Sequence, residues 1–255
     1  MNQLKLFKPI CKLFIICFFI SCKQPSEPVF DNPYDAEGES FMCDGPLIDV
    51  DGNDYDIVMI GNQCWMAENL KTGRYYNGTT IENIEDDGSW INGTDGAWVH
   101  YENDISNEPV YGKLYNWHTV NNNNGLCPQG WEVPTDEDWK ELEAYLGMRQ
   151  SEINESGTRG WSEAIGGKLK GVGTEYWLEP NREATNASGF SAAGGGFRNP
   201  DGSFEEIERT GRWWSATESS ATNAIKRDLY YRNGSVFRGT NNKFYGFSVR
   251  CIWKE

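Results

Sequence analysis

The residues able to do chemistry in this chain are few, and their spacing favours binding over catalysis. There are two histidines, His100 and His118. Each stands among apolar and aromatic neighbours, in Val99-His100-Tyr101 and Trp117-His118. Nucleophilic catalysis wants a Ser or Cys with a nearby His as base, and these settings read as packing positions instead. Glu205, Glu206 and Glu208 could supply the acid pair of a glycoside hydrolase. A chain with 38 acidic residues produces such groupings by composition alone. Gly194-Gly195-Gly196 lacks the spacing of a phosphate or dinucleotide loop. The run from Asp49 to Asp54 has the acids of a calcium loop, but that loop would need glycine at Asp54 and a bidentate glutamate at Ile60. An Asx-type turn is expected there. No catalytic residue, metal or cofactor is expected.

A binding surface is expected on the long loops between Glu179 and Thr217. That stretch is rich in Gly, Asn and Ser, too irregular for continuous secondary structure and too long for a simple connector. Arg198, Asn199, Asp201, Arg212 and Trp214 lie close together in it. They combine donors, acceptors and a stacking face, the mix that recognition of a polyhydroxyl ligand needs. Adjacent strand residues point to opposite faces, so at most one of Trp213 and Trp214 is expected in the core if a strand runs there with only one face covered. Glu179-Pro180-Asn181 spells the calcium-and-sugar triplet of C-type lectins, but no Trp-Asn-Asp follows downstream, so the triplet is read as a loop proline.

The elements that must position these residues are short. Leu47 to Val50, a turn at Asp51-Gly52-Asn53, then Tyr55 to Ile60 read as a hairpin. Gly61-Asn62 turns the chain into a third strand, Gln63 to Met66. The clearest helix runs from Asp136 to Leu146. Thr135 is placed to N-cap it, with Asp138 as a capping-box-like partner. Trp139, Leu142, Tyr145 and Leu146 form its apolar face, and Gly147 ends it. A shorter helix is expected from Ser162 to Lys170, with Trp161, Ile165 and Leu169 in step. Asn233-Gly234 reads as a hairpin turn, and Gly246 to Trp253 as the last strand.

The N-terminus reads as an export signal. Lys5, Lys8 and Lys12 precede an apolar run from Leu13 to Ile20, too short to span a bilayer but right for a signal peptide. Phe19-Ile20-Ser21-Cys22 has the small residue before cysteine that marks a lipobox, with Phe19 where leucine is commoner. The expected organisation is a signal peptide over 1–21, a lipidated tether over 22–42 anchored at Cys22, and one domain over 43–255. Lipid would hold the protein to the cell envelope, at the outer membrane or cell surface. Removing the signal leaves 20 basic against 38 acidic residues, a net charge of about −18. That acidity excludes nucleic acid as a partner, since nucleic acid rewards basic surfaces.

Cysteine usage agrees with export. Cys11 and Cys17 leave with the signal, and Cys43, Cys64, Cys127 and Cys251 remain beyond Cys22. Four cysteines allow three pairings, and an oxidising compartment favours bridges. Cys43–Cys64 and Cys127–Cys251 are expected. The first would clip the leading segment to the first hairpin, and the second would join the approach to the helix to the last strand. With no Cys-x-x-Cys and two histidines, a zinc site is not expected.

Several blocks then resemble a known family. They are Asp51-Gly52-Asn53 with Ile60 to Leu70 (IGNQCWMAENL), Tyr111 to Trp117 (YGKLYNW), Leu126 to Asp136 (LCPQGWEVPTD), Gly166 to Lys170 (GGKLK), Trp213 to Glu218 (WWSATE) and Gly246 to Cys251 (GFSVRC). In this order they resemble the Fibrobacter succinogenes major paralogous domain of exported bacterial proteins, over about Asp49 to Trp253. The resemblance implies an α+β, C-type-lectin-like fold of short antiparallel strands, one clear helix and long Gly/Asn loops. It also implies a surface lipoprotein without an agreed enzymatic activity. Glu132 stands where that family usually carries a histidine, so no role is transferred there. The related formylglycine-generating chemistry uses a late cysteine pair, and only Cys251 is late here. The expected function is therefore a binding or adhesion module at the cell envelope, with polysaccharide or an envelope protein as partner. The alternatives are a structural envelope protein and an enzyme of unknown type.

Overall fold

The computed structural model describes residues 43–254. The expected signal peptide, the tether and Cys22 lie outside the described residues. Fold class is α+β: short, mainly antiparallel strands with few helices.

The element that organises the domain is a six-stranded sheet. Its strands in chain order are β1 (Gly157–Arg159), β2 (Gly195–Arg198), β3 (Phe204–Ile207), β4 (Thr210–Ser220), β5 (Asn223–Tyr230) and β6 (Val236–Asn242), arranged β3-β2-β4-β5-β6-β1. Only the β2–β4 pairing is parallel. The β4–β5 register sets Trp213 opposite Arg227, Trp214 opposite Lys226, and Arg212 opposite Asp228. Phe237 of β6 lies beside Asp228 and Arg238 beside Arg227. Strand alternation therefore sends Trp213, Arg227 and Arg238 to one face, and Arg212, Trp214, Lys226, Asp228 and Phe237 to the other.

Helix α1 (Asp136–Tyr145) lies on the first face. Its cap is the one the sequence predicts: the Thr135 hydroxyl accepts from Asp138 N, and the Asp138 carboxylate accepts from Thr135 N. Trp139, Leu142 and Leu146 are buried among Trp65, Ile165, Phe190 and Trp213. Tyr145, expected on that apolar face, is instead 65 % exposed. Two residues before it, Glu143 turns inward and is fully buried. It meets arginines from the sheet: it accepts from Arg159 Nη2 at 2.6 Å and from Arg227 Nε at 2.6 Å. Asp136 extends the network to Arg227 and Arg238 at 2.8 and 2.6 Å.

The second face carries another core, built from Tyr115, Trp117, Trp131, Phe197, Trp214, Phe247 and Val249 around Cys127 and Cys251. Both expected disulfides are present, Cys43–Cys64 and Cys127–Cys251. The sheet is thus covered on two sides over part of its length. That overturns the expectation that one of Trp213 and Trp214 faces solvent: both are buried, one in each core.

Three other expectations change in detail. The short helix α2 covers Ile165–Leu169, not Ser162 to Lys170, and Trp161 is 54 % exposed. Glycine is required inside α2, because a Cβ at Gly166 or Gly167 would come within 2.1 Å of the Ser235 or Glu183 carbonyl oxygen. Of the expected last strand only Ile252–Trp253 pairs as a strand, while Gly246, Phe247 and Ser248 make isolated bridges to Arg198, Tyr115 and Trp213. The Asn233-Gly234 turn does join two strands, β5 and β6, through a loop longer than two residues.

Residues 171–194 form a long loop without an assigned strand or helix, apart from a bridge at Ala192. Cations tie it down. Lys170 Nζ donates to the carbonyls of Arg182, Tyr230 and Asn233 at 2.9, 3.0 and 2.9 Å. Burial pushes that ammonium down to about 8. Arg250, wholly enclosed, donates to the Phe190 and Ser191 carbonyls and lies over the Phe190 ring.

Candidate functional site

The five loop residues expected to bind ligand do not form one surface. Arg198 is a buried staple on β2. Its guanidinium donates to the Gly202 and Glu85 carbonyls at 2.8 and 2.9 Å and to the Asp87 carboxylate at 2.8 Å, and it stacks on Trp90. Trp214 donates from Nε1 to the Tyr115 carbonyl at 2.9 Å inside the second core. Neither presents a face to solvent, because each is consumed by internal partners. Asn199 and Asp201 lie at the surface in a turn that they close themselves. Asp201 accepts from the Ser203 amide and hydroxyl, and Asn199 donates to the same hydroxyl.

Arg212 is different. It lies on the second face of the sheet, against the core there. Its guanidinium is 3.6 Å from the Phe197 ring centroid and 5.7 Å from that of Phe247. Across the β4–β5 register stands Asp228, with Lys226 two residues along on the same face. Lys226 Nζ donates to Asp228 Oδ2, and the Tyr230 hydroxyl reaches the same oxygen at 3.5 Å. Arg212 Nε is 3.7 Å from it, longer than a hydrogen bond. Two cations therefore face one carboxylate. Arg212 Nε and Asp228 Oδ1 have no hydrogen-bond partner, a costly state for buried polar groups.

The surroundings are aromatic. Lys226 Nζ lies 4.6 Å over the Phe237 ring. Tyr245 packs against Phe197 and Phe247. Tyr230, Phe237 and Tyr245 are half-buried. Burial pushes the Lys226 ammonium down, against the pull of Asp228. It also pushes the Tyr230 phenol up, and Asp228 adds to that. Tyr230 is a hydrogen-bonding hydroxyl at any ordinary pH. The parts of this cluster that reach solvent are Arg212 and the half-buried rings of Tyr230, Phe237 and Tyr245.

Of these residues the sequence singled out only Arg212. Lys226 and Asp228 were not singled out. The available signal was alternation within a strand, which separates Lys226 and Asp228 from Arg227.

The other candidate groups are engaged elsewhere. His100 pairs through Nε2 with Glu108 at 2.8 Å and packs edge-on against Trp98. His118 packs on Phe244, where burial pushes its imidazole pKa down. Asp49 accepts from the Asp51 and Asn53 amides and the Tyr55 hydroxyl, an Asx turn as expected. Asn181 turns inward and donates to the Gly171 and Gly173 carbonyls. Glu205 is exposed on β3 beyond Phe197. Among the described residues no three of His, Cys, Asp and Glu gather as metal ligands, and no helix is long and apolar enough to cross a membrane.

Comparison with known proteins places the chain by its sequence. The family model described as Fibrobacter succinogenes major domain matches residues 58–253. No curated protein and no solved structure matches the chain.

Proposed function

The chain belongs to the Fibrobacter succinogenes major domain family, and from that premise we propose that it is a lipid-anchored envelope protein whose C-type-lectin-like domain binds saccharide. The observation that carries this reading is the cluster of charged and aromatic side chains on the second face of the sheet. Arg212, Tyr230, Phe237 and Tyr245 are half-buried there around the buried Lys226–Asp228 pair. Polar atoms fix a sugar's orientation and ring faces take its C–H surface. Asp228 is held by Lys226 and faced by Arg212, so the carboxylate is engaged by internal partners. The lipid anchor rests on the n-region lysines, the apolar run and Ser21-Cys22.

The test uses the intact chain in detergent micelles. Immobilised envelope and plant-type polysaccharides should retain the wild type, and the Tyr230→Ala, Phe237→Ala double variant should lose at least about tenfold in affinity, the effect of losing roughly 1.4 kcal/mol. The same preparation from cells fed an alkyne fatty acid should carry label at Cys22. Retention of no saccharide by a folded wild type would turn the reading toward a structural envelope protein. Equal labelling of Cys22→Ala would remove the anchor.

A further inference from the structure

We propose that the free edge of the strand Ile57–Ile60 accepts an extended, basic peptide segment of a partner protein as an added strand. This strand ends a four-stranded sheet and pairs on one side only, with Gln63–Met66. The Ala67 amide donates to the Asp56 carbonyl at 2.8 Å. Alternation along an antiparallel pair then turns the backbone groups of Val58 and Ile60 towards Gln63–Met66, and those of Ile57 and Met59 away from it. No described residue bonds to these outward N–H and C=O groups. Proteins commonly close such an edge with a charge, a proline or a bulge. Ile57-Val58-Met59-Ile60 has none of these.

A cavity opens at the start of this edge. Leu47 pairs with Tyr55, but residues 43–46 make no backbone bond to Ile57 and run instead to the disulfide at Cys64. The space left, about 360 Å³, lies among Cys43, Asp44, Asp54, Asp56, Ile57 and Glu68. Lys71 is engaged there with Glu68 Oε2 at 2.8 Å. Asp44, Asp54 and Asp56 are exposed and have no ion-pair partner among the described residues. These acids do not gather as metal ligands. Spread carboxylates beside a free backbone edge suit the lysine or arginine side chains of a peptide whose main chain pairs with Ile57 and Met59. Charge argues against the two occupants closest at hand. A second copy would bring the same carboxylates edge to edge. Residues 23–42 of this chain carry one lysine against five acids. A partner segment of opposite charge meets neither objection.

The experiment titrates the intact chain in detergent micelles with fluorescein-labelled peptides of about eight residues, within the length of an ordinary strand, built of Val and Thr and ending in Lys-Thr-Lys-amide. By anisotropy the lysine peptide should bind at least tenfold more tightly than its glutamate counterpart, and more weakly as salt is added. Two N-methylated versions, one for each alternate set of amides, keep the charge; the one whose pairing donors are removed should lose at least tenfold. The Asp54→Asn, Asp56→Asn double variant should also lose tenfold or more, and should unfold at the wild-type temperature because both side chains are exposed. Hydrogen exchange should show the Ile57 and Met59 amides protected by the lysine peptide. If both N-methylated versions bind as well as the parent, the attraction is that of an acidic surface and strand addition is wrong. If the glutamate peptide binds equally, if neither peptide binds, or if the chain dimerises through this edge without peptide, the proposal falls. The saccharide reading concerns the six-stranded sheet and stands apart from each of these outcomes.

Discussion

Glu143→Ala should cost about 3–5 kcal/mol of folding stability, the range for removing one partner of a buried ion pair. Glu143 is fully buried on α1 and is the carboxylate that Arg159 and Arg227 share. Without it, Arg159 has no carboxylate partner and Arg227 keeps only Asp136. Both guanidiniums remain enclosed, that of Arg227 against Trp139. Urea unfolding monitored by tryptophan fluorescence reads the change directly. A loss under about 1 kcal/mol would mean that water reaches the network, since exposed pairs are worth that little. Acid should weaken the same joint. Arg238 and Arg227 hold Asp136 well below its ordinary 3.8 despite its burial. A carboxylate depressed in the folded state contributes fully above its unfolded value and loses that contribution as pH falls toward the folded one. Stability from Asp136 is therefore complete above about pH 5 and drains away below pH 4.

Removing the Cys127–Cys251 bridge should cost as much or more, about 4–5 kcal/mol, against about 3 for Cys43–Cys64. The first closes 124 residues and the second 21, and the entropy returned to the unfolded chain grows with loop length. Cys127 and Cys251 also sit inside the second core, so the paired alanine variant loses packing as well. Thermal unfolding of the two double variants, side by side, gives the ranking. The order would be reversed if the long loop were already held compact in the unfolded chain.

Local signals carried the elements whose stability is local. The capping box of α1 and the turn at Asp49 depend on residues within a few positions and were legible, while the expected first hairpin pairs only Leu47–Ile48 with Asp54–Tyr55 and Ile57–Ile60 pairs onward with Gln63–Met66. Misreadings came where a distant partner decides the environment. Tyr145 has the spacing of a core residue and Glu143 that of a solvated one, yet arginines on β1 and β5 draw the acid in. Trp214 was assigned to solvent because strand alternation was applied to a sheet with one covered face, and this sheet has two. Lys226 and Asp228 were missed for a related reason. A charge run is solvated unless the opposite strand supplies an Arg212.

The sequence blocks shared with the family meet in the interior. Asn69 shows how. Its amide donates to the Tyr111 carbonyl and the Ser248 hydroxyl, and its oxygen accepts from Trp213 Nε1 and Arg250 Nε. One side chain thus joins four of the blocks, and Trp117 ties the second of them to the Ser215 carbonyl of the fifth. Those residues build the scaffold. Arg212, Lys226, Asp228, Tyr230 and Phe237 fall outside every block, which is the division of labour expected of a common fold carrying its own site.

Hydrogen exchange on the intact chain, with and without a saturating polysaccharide ligand, tests that assignment most directly. Protection gained over residues 210–214, 226–230 and 236–239, with α1 and the 199–203 turn unchanged, is the predicted result. Protection centred on the 199–203 turn or on α1, with the sheet face unaltered, would contradict it.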